Sequence, residues 1–348
     1  MRICKRQGIQ TTGIKTILIV VLLIVSAACG SDSNERHSQA KTDYDYYELM
    51  LPPDWGSALP LSINDDRIIV GWGYHSNMKV GFSYNDGVYS ELLPLNWYIS
   101  YADDINEQGD VVGWGWEYEK PSKGFLYSNG NYMTVLPPGW LSAQVTGINN
   151  KGDVIGFGND NISINESAFL FSGGEYTKLS SPGWSDSYAF DINDHGVVVG
   201  WYSTSNSLSG FMYSQGAYVS ILPPGWLSAE ADAVNNNNVV VGTGRDSEDT
   251  LKGFMYKDGK YTELIPPGWL SSSVTDINSK GEVVGYGYDE KPGYKGFLYF
   301  KGKYKILLPP DWRQFWPENI NDDGVMIGTG EKDMINNKIG FIAVPRTD

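Results

Sequence analysis

The sequence predicts an all-β fold, a seven-bladed β-propeller of four-stranded antiparallel blades that is closed by its N-terminal strand. The main observation is a tryptophan that recurs seven times, at steps of 42 to 44 residues. The copies are Trp55, Trp97, Trp140, Trp184, Trp226, Trp269 and Trp312. A tyrosine precedes each copy by eight residues, and an asparagine follows it by nine. Self-similarity at this period is typical of a repeat architecture.

Each repeat reads as four short strands separated by turns. In residues 100–142, four runs rich in β-branched and aromatic residues alternate with polar turn sequences. Asn106 and Gly109 begin and end the first turn, and an Asn-Gly pair later in the repeat favours a tight hairpin. Arg67 takes the glycine position in the first repeat, where we expect a strained or differently built turn. Helical periodicity is absent, so each repeat is predicted to form one sheet.

The two ends of the repeat region complement each other. Residues 46–51 match only the fourth strand of a repeat, whereas residues 339–344 match only the third. Pairing of these segments would complete the last blade and close the ring without exposed sheet edges. A solenoid of stacked β-units is the alternative, but it needs distinct terminal caps. The sequence therefore favours the closed ring.

One loop differs among the repeats. The spacing from the tryptophan to the asparagine, and on to the glycine of the Val-Val-Gly motif, is the same in all seven repeats. The segment between the second and third strands varies in length and composition. It projects from the same face as the Pro-Pro-Gly-Trp connections, which we call the variable-loop face; the opposite face, with its uniform tight turns, is the turn face. Because binding usually occurs on loops held by a rigid scaffold, the variable-loop face is the predicted functional face.

The repeat motif resembles a known family. Ile-Asn-x-x-Gly-x-Val-Val-Gly, followed by Gly/Ala-Phe-Leu/Met-Tyr and an Asn/Asp-Gly turn, is similar to the bacterial extracellular HAF repeat, and residues 168–171, Ala-Phe-Leu-Phe, are the closest copy. The resemblance covers about residues 44–345. The histidine of the His-Ala-Phe signature is missing from every repeat, and Pro-Pro-Gly/Asp-Trp replaces the Gly-rich connection. The resemblance implies export and a propeller-like fold, and it implies no catalytic residues.

The N-terminal segment predicts export. Four basic residues precede an apolar run at 17–25 and small residues at 26–28, which is the pattern of a signal peptide. Cys29 follows, as in the lipobox of bacterial lipoproteins, although Ser26 replaces the usual leucine and also suits ordinary signal peptidase. We therefore expect a signal peptide at 1–28, a flexible tether at 29–43 behind a lipidated Cys29, and a propeller at 44–348. The protein is predicted to lie in the cell envelope, outside the cytoplasm and anchored to a membrane.

The charge balance limits the partners. Without the signal peptide the chain carries 22 basic and 41 acidic residues, a net charge of −19. This argues against nucleic acid, whose phosphates require a basic surface. It is compatible with a solvated monomer, with cation binding and with neutral glycans. Glycans or a protein are therefore the expected partners besides the membrane.

Aromatic residues without strict recurrence are the candidate ligand contacts. They lie near the variable-loop face, and a symmetric core would not need them. They are Trp72, Trp114, Trp116, Tyr118, Trp201, Tyr202, Tyr286, Tyr288 and Trp316. The seven repeat tryptophans are instead expected to pack as anchors between blades, because packing requires recurrence in every unit.

Asp104, Asp191 and Asp276 recur just before the repeat isoleucine, in the strand expected nearest the axis. They could hold a cation such as Ca²⁺, or they could bond backbone amides. No other cofactor is predicted. The function classes are a binding or interaction protein, a glycan-active hydrolase or lyase with carboxylates in the axial funnel, and a structural envelope protein. A deep axial pocket with clustered carboxylates would favour the enzyme, and a shallow aromatic rim would favour binding.

Overall fold

The computed structural model describes residues 43–52, 54–162, 165–332 and 338–346. In these residues, 28 strands form seven four-stranded antiparallel sheets, which confirms the seven-bladed propeller. The first strand of each blade contacts the first strands of both neighbouring blades, so these seven strands surround the axis. The predicted signal peptide, Cys29 and the tether up to residue 42 lie outside the described residues. Within the described part of the chain, no helix is long and apolar enough to cross a membrane.

The strand bounds follow the repeat, from the axis outwards in each blade. Blade 1 has β2 (Trp55–Ile63), β3 (Ile69–His75), β4 (Met78–Asn85) and β5 (Val88–Leu92). Blade 2 has β6 (Ile99–Ile105), β7 (Val111–Trp116), β8 (Lys123–Ser128) and β9 (Asn131–Val135). Blade 3 has β10 (Gln144–Ile148), β11 (Val154–Asn159), β12 (Glu166–Ser172) and β13 (Glu175–Leu179). Blade 4 has β14 (Ser187–Ile192), β15 (Val198–Ser203), β16 (Leu208–Ser214) and β17 (Ala217–Ile221).

The remaining blades continue this order. Blade 5 has β18 (Ser228–Val234), β19 (Val240–Arg245), β20 (Leu251–Lys257) and β21 (Lys260–Leu264). Blade 6 has β22 (Ser271–Ile277), β23 (Val283–Tyr288), β24 (Lys295–Phe300) and β25 (Lys303–Leu307). Blade 7 has β26 (Gln314–Ile320), β27 (Met326–Glu331), β28 (Ile339–Pro345) and, as its outer strand, β1 (Tyr44–Glu48).

The N-terminal strand closes the ring as predicted. β1 pairs antiparallel with β28, with Tyr44 opposite Pro345 and Glu48 opposite Phe341. The predicted bounds were shifted, because β1 begins at Tyr44 rather than at residue 46 and ends at Glu48 rather than at residue 51. The buried Tyr44 side chain packs into the core of blade 7, and this packing extends the pairing towards the N terminus.

The repeat asparagines hold the blades together in a closed circle. Asn106 Oδ1 accepts the backbone N–H groups of Gln108 and Asp110 at 3.1 and 2.9 Å, and Nδ2 donates to the carbonyl oxygen of Asn149 in the next blade at 3.2 Å. The bond to the next repeat asparagine is present in all seven blades, at 3.0 to 3.2 Å. The last of them runs from Asn321 to Asn64, so these buried side chains form a continuous asparagine ring.

Replacing one member of the asparagine ring should destabilise the propeller measurably. Asn106→Ala removes three hydrogen bonds and leaves backbone groups without partners, so we expect a loss of at least about 2 kcal/mol in the free energy of unfolding. Urea unfolding followed by tryptophan fluorescence measures this loss. Asn131→Ala, at an exposed position of the outer strand β9, is the control and should change stability by less than about 0.5 kcal/mol. Equal stability of the two variants would show that the ring bonds are dispensable.

Two further recurrent residues have packing roles. Each repeat tryptophan contacts the recurrent phenylalanine of its own blade, with ring centroids 5.4 to 6.0 Å apart. The glycine of the Val-Val-Gly motif allows close approach of the second strand to the first: a Cβ at Gly113 would clash with the carbonyl oxygen of Tyr101. The pairing shifts there between Ala102 and Asp104, which leaves Asp103 as a bulge.

The first turn keeps the common geometry despite Arg67. The Arg67 N–H donates to the carbonyl oxygen of Asn64 at 3.0 Å, as Gly109 does to Asn106. Arg67 adopts a φ of 61° to do so. The turn is therefore strained by about 1 to 2 kcal/mol rather than built differently.

Candidate ligand-binding site along the axis

The three recurrent aspartates lie at the turn-face end of the axis and connect adjacent blades. Asp104 Oδ2 accepts the backbone N–H of Ile148 at 2.8 Å. Asp191 and Asp276 bond the equivalent amides, of Val234 and Ile320, at 2.7 and 2.8 Å. They line a cavity of about 200 Å³ together with the asparagine ring. Burial raises the pKa of Asp104 to about 7, of Asp191 to about 6 and of Asp276 to about 7.

These aspartates line the same cavity but are not arranged as metal ligands. In the described ranges, no group of three acidic, histidine or cysteine side chains has an arrangement that could hold a metal ion. Each carboxylate instead accepts the amide of the neighbouring blade and the N–H of the residue that follows it, such as Ile105 at 2.9 Å for Asp104. The geometry is that of backbone-amide acceptors, one of the two interpretations that the sequence left open.

A second cavity, of about 340 Å³, lies among the inner strands of blades 5 to 7. We call it the axial cavity. Its residues precede the turn-face aspartates along the inner strands, so it lies nearer the variable-loop face. A register shift in each inner strand leaves one bulged residue, which in these blades is Asp232, Thr275 or Glu318. The complete lining is Glu230, Asp232, Thr243, Ser273, Val274, Thr275, Tyr286 and Glu318.

The carboxyl groups of the axial cavity are poorly compensated. Burial raises the pKa of Glu318 to about 7, and Lys338 opposes this only in part. Burial, and then the charge of Glu230, raises the pKa of Asp232 well above its ordinary value, although Thr243 donates hydrogen bonds to it. Burial alone raises the pKa of Glu230. The cavity can therefore exchange protons near neutral pH or accept a positively charged group.

Aromatic residues from blades 1 and 2 form a first cluster. Trp114 stacks on Tyr101, with ring centroids 4.5 Å apart, and Trp116 stacks on Trp114 at 5.7 Å. Trp72 meets Tyr101 edge-on at 5.4 Å. Lys79 Nζ lies 4.8 Å from the centroid of the Trp72 ring and donates to the Tyr101 hydroxyl at 3.1 Å. Three of the predicted contact residues, Trp72, Trp114 and Trp116, thus come together.

Blades 3 and 4 supply a second cluster around Tyr188. Trp201 stacks on Tyr188 at 4.4 Å, and Phe157 contacts the same ring at 4.5 Å. Burial raises the pKa of Tyr188, with Glu166 adding to the effect. Trp201 is the predicted contact residue in this cluster.

Blades 6 and 7 supply a third cluster around Tyr294, next to the axial cavity. Tyr286, Tyr288 and Trp316 contact Tyr294, with ring centroids 5.8, 5.5 and 5.9 Å apart. Tyr288 and Tyr294 also line a neighbouring cavity of about 310 Å³ in the variable loop. Tyr286 belongs to both the cluster and the axial cavity, so the aromatic and acidic features meet at this residue.

Two predicted contact residues lie apart from these clusters. Tyr202 stacks on the repeat tryptophan Trp184 at 4.0 Å and shares a hydrogen bond with Ser220 at 3.1 Å, both within blade 4. Other repeats have glycine at this position, so Tyr202 adds to the packing of its blade. Tyr118 is highly exposed and contacts Tyr98 at 5.9 Å.

Several residues of the axis were not predicted from the sequence. They are Asp103, Glu230, Asp232, Glu318, Tyr101, Tyr188 and Tyr294. One available signal was the position five residues before each repeat asparagine, whose side chain changes in size and charge from repeat to repeat. It carries Leu59, Tyr101, Gln144, Tyr188, Glu230, Ser273 and Trp316. This position pairs with the residue after Val-Val-Gly, so the two variable positions face each other across the inner strands.

The ring is consequently asymmetric about its axis. In blades 2 and 4 the paired positions carry two aromatic side chains, which fill the space between blades. In blade 5 they carry Glu230 and Thr243, and in blade 6 Ser273 opposes Tyr286. The axial cavity lies where these smaller and acidic side chains replace the stacked rings.

Comparisons with known proteins support the fold. No protein-family model matches the chain, and no curated protein matches its sequence. Solved structures do match: virginiamycin B lyase from Staphylococcus aureus, crystallised with quinupristin, has 17% identity and a TM-score of 0.56, with 86% of this chain and 99% of that chain covered. The β-propeller domain of the Trilobed protease from Pyrococcus furiosus has 11% identity and a TM-score of 0.58, covering 84% and 97%.

A third similar structure is YCF48 bound to the D1 peptide. It has 12% identity and a TM-score of 0.52, with 88% of this chain and 96% of that chain covered. At such identities the likeness extends to the fold alone. The chain is thus similar in fold to these β-propellers.

Proposed function

We propose that the protein is an exported binding module that holds a glycan or a protein segment at the axial cavity and the third aromatic cluster. The observation that carries this proposal is the meeting of Glu318, Asp232 and Tyr286 in one cavity, beside Tyr294 and Trp316. Sugar rings and peptide side chains both pack on aromatic faces and bond to carboxyl oxygens. Export and the lipid anchor at Cys29 belong to the proposal as predictions from the sequence.

The size of the site supports a small ligand or the tip of a larger one. The axial cavity of about 340 Å³ falls at the lower end of the range of small-molecule pockets, which is roughly 300 to 1,000 Å³. The neighbouring cavity of about 310 Å³ in the variable loop, which we call the loop cavity, offers a second binding position next to Tyr294. A ligand that spans both would contact the irregular aromatics and leave the repeat tryptophans in the core.

Binding should depend on the third cluster. Tyr288→Ala is expected to weaken ligand binding fivefold or more on a glycan and peptide array, run with and without calcium, because it removes an aromatic contact from the loop cavity. Its free energy of unfolding should change by less than about 1 kcal/mol, since the Tyr288 side chain is exposed. Tyr118→Ala, which is exposed but outside the clusters, is the control. If Tyr118→Ala lost binding and Tyr288→Ala kept it, the site would be misassigned.

A hydrolase or lyase is the second candidate, and Glu318 favours it. A carboxyl group with a pKa of about 7 can donate and accept protons near neutral pH, as general acid–base catalysis requires. Asp232 would supply the second carboxyl group. Incubation of array-positive ligands with the protein, followed by mass spectrometry, separates the two candidates. Turnover that disappears in Glu318→Gln would establish the enzyme. Ligands that remain intact would favour the binding module.

A further inference from the structure

The cavity acids differ from the three turn-face aspartates. Asp104, Asp191 and Asp276 stand on inner strands and each bond a backbone amide of the next blade. Glu230 and Glu318 also stand on inner strands, but among the described residues neither has a hydrogen-bond partner. The ion pairs of the described chain use other carboxylates, such as Asp289 with Lys295 at 2.5 Å and Asp246 with Lys252 at 2.9 Å.

The fold does not require carboxyl groups at these positions. The bulged position of Glu318 is occupied by Leu61 in blade 1, Thr146 in blade 3 and Phe190 in blade 4. An apolar or hydroxyl side chain therefore satisfies the same backbone geometry. A half-buried carboxyl group that Lys338 only partly neutralises is unfavourable in its charged form, so its presence where a leucine fits points to a ligand that compensates it.

We infer that the ligand carries a protonated amine, which Glu318 and Asp232 bind in the axial cavity against the ring of Tyr286. This inference rests on the proposed binding function and specifies its ligand class. An ammonium group supplies positive charge for both groups and N–H donors for Glu318, which has no hydrogen-bond partner among the described residues. Ser273 and Thr275 line the same cavity, and their hydroxyl oxygens can accept the remaining donors.

The aromatic wall adds to the preference for a cation. An ammonium group within about 6 Å of an aromatic ring is attracted by the negative face of the ring. The chain already uses this contact nearby, since Lys338 Nζ lies 4.9 Å from the centroid of the Trp316 ring. The charge of Lys338 opposes part of the rise in the pKa of Glu318, so the wall already accommodates one cation. A second cation, from the ligand, would neutralise the remaining negative charge of the cavity. A neutral ligand could replace the hydrogen bonds of the water that it displaces, but it would leave the negative charge of the carboxylates uncompensated.

Two sources of the amine are distinguishable by titration. Isothermal titration of the full-length protein at pH 7.5 would use glucosamine and Nα-acetyl-lysine methylamide, each compared with its neutral counterpart, N-acetylglucosamine or Nα-acetyl-norleucine methylamide. At least one ammonium compound should bind tenfold or more tightly than its neutral counterpart. Preference for glucosamine would identify an amino sugar as the source, and preference for the lysine derivative would identify a basic side chain.

The variants assign the binding to the cavity. Glu318→Gln and Asp232→Asn should each weaken binding of the ammonium compound tenfold or more, whereas Glu175→Gln, on the exposed outer strand β13, should leave it unchanged. The thermal midpoint of Glu318→Gln should equal or exceed that of the original protein, which separates lost binding from lost folding. Equal affinities for charged and neutral compounds, or no binding of any compound, would overturn the inference.

Failure of the amine inference can be distinguished from failure of the proposed binding function. If the array finds neutral ligands whose binding depends on Tyr288 but not on Glu318, the binding function stands and the amine is excluded. If the ammonium compounds bind but Glu318→Gln and Asp232→Asn keep full affinity, the amine site lies elsewhere and the inference is wrong. If neither array nor titration yields a ligand, both proposals are wrong.

Discussion

Deletion of residues 44–52 is expected to lower the thermal midpoint of the whole propeller by many degrees. The deletion removes β1 and exposes an edge of β28, which breaks the only pairing that connects the two ends of the described chain. It also removes Tyr44, buried in the core of blade 7, and Leu49, buried against Trp55 in blade 1. Loss of two such side chains costs about 2 to 5 kcal/mol each.

Differential scanning calorimetry of the deletion variant measures this effect. A deletion of equal length at residues 30–38, in the predicted tether, is the control and should leave the midpoint unchanged. Because the asparagine ring couples every blade to the next, the variant should still melt in one transition, only earlier. A midpoint within a degree or two of the intact protein would show that the ring does not depend on this closure.

Raising the pH from about 4 to about 8 is expected to destabilise the folded protein. Burial raises the folded-state pKa of Asp103 to about 8, of Asp104, Asp276 and Glu318 to about 7, and of Asp191 to about 6. Unfolded carboxyl groups titrate near 4. Between these values the folded state binds more protons than the unfolded state, so the free energy of unfolding falls as the pH rises. The stabilisation is complete below about pH 4 and is lost through pH 6 to 8.

Urea unfolding at half-unit steps from pH 5 to pH 8 measures the slope. Each group that stays protonated only in the folded state contributes up to about 1.4 kcal/mol per pH unit. Glu318→Gln removes one such group without removing a hydrogen bond, so its slope should be shallower between pH 5 and pH 7. The surface carboxylates with lowered pKa, such as Asp246 and Asp289, are ionised across this range and do not alter it. Stability that rises with pH would contradict the assignment of buried, uncompensated acids.

The recurrent residues made the fold predictable. A residue that performs the same contact in seven blades must recur at the same spacing, and the repeat asparagines, the tryptophans and the Val-Val-Gly glycine do so. The closing strand was predictable for the same reason, because residues at the two ends supplied the halves of one repeat. Its bounds were not, since the burial of Tyr44 depends on the assembled blade 7.

The candidate site was only partly predictable, because it depends on departures from the repeat. Trp72, Trp114 and Trp316 stood out as irregular aromatics, and the structure places them in clusters. Tyr202 stood out equally, yet it stacks on Trp184 within its own blade. Glu318 and Asp232 could not be singled out among the 41 acidic residues of the sequence. Their place in the axial cavity depends on a bulge, and the bulge is visible only in the strand pairing.

The two ends of the described chain meet in blade 7, away from the variable loops. The Arg346 N–H donates to the carbonyl oxygen of Asp43 at 2.9 Å, at the place where the other blades have their third turn. The chain therefore enters and leaves the ring on the turn face. A ligand that approaches the opposite face, which carries the variable loops, therefore meets no end of the described chain.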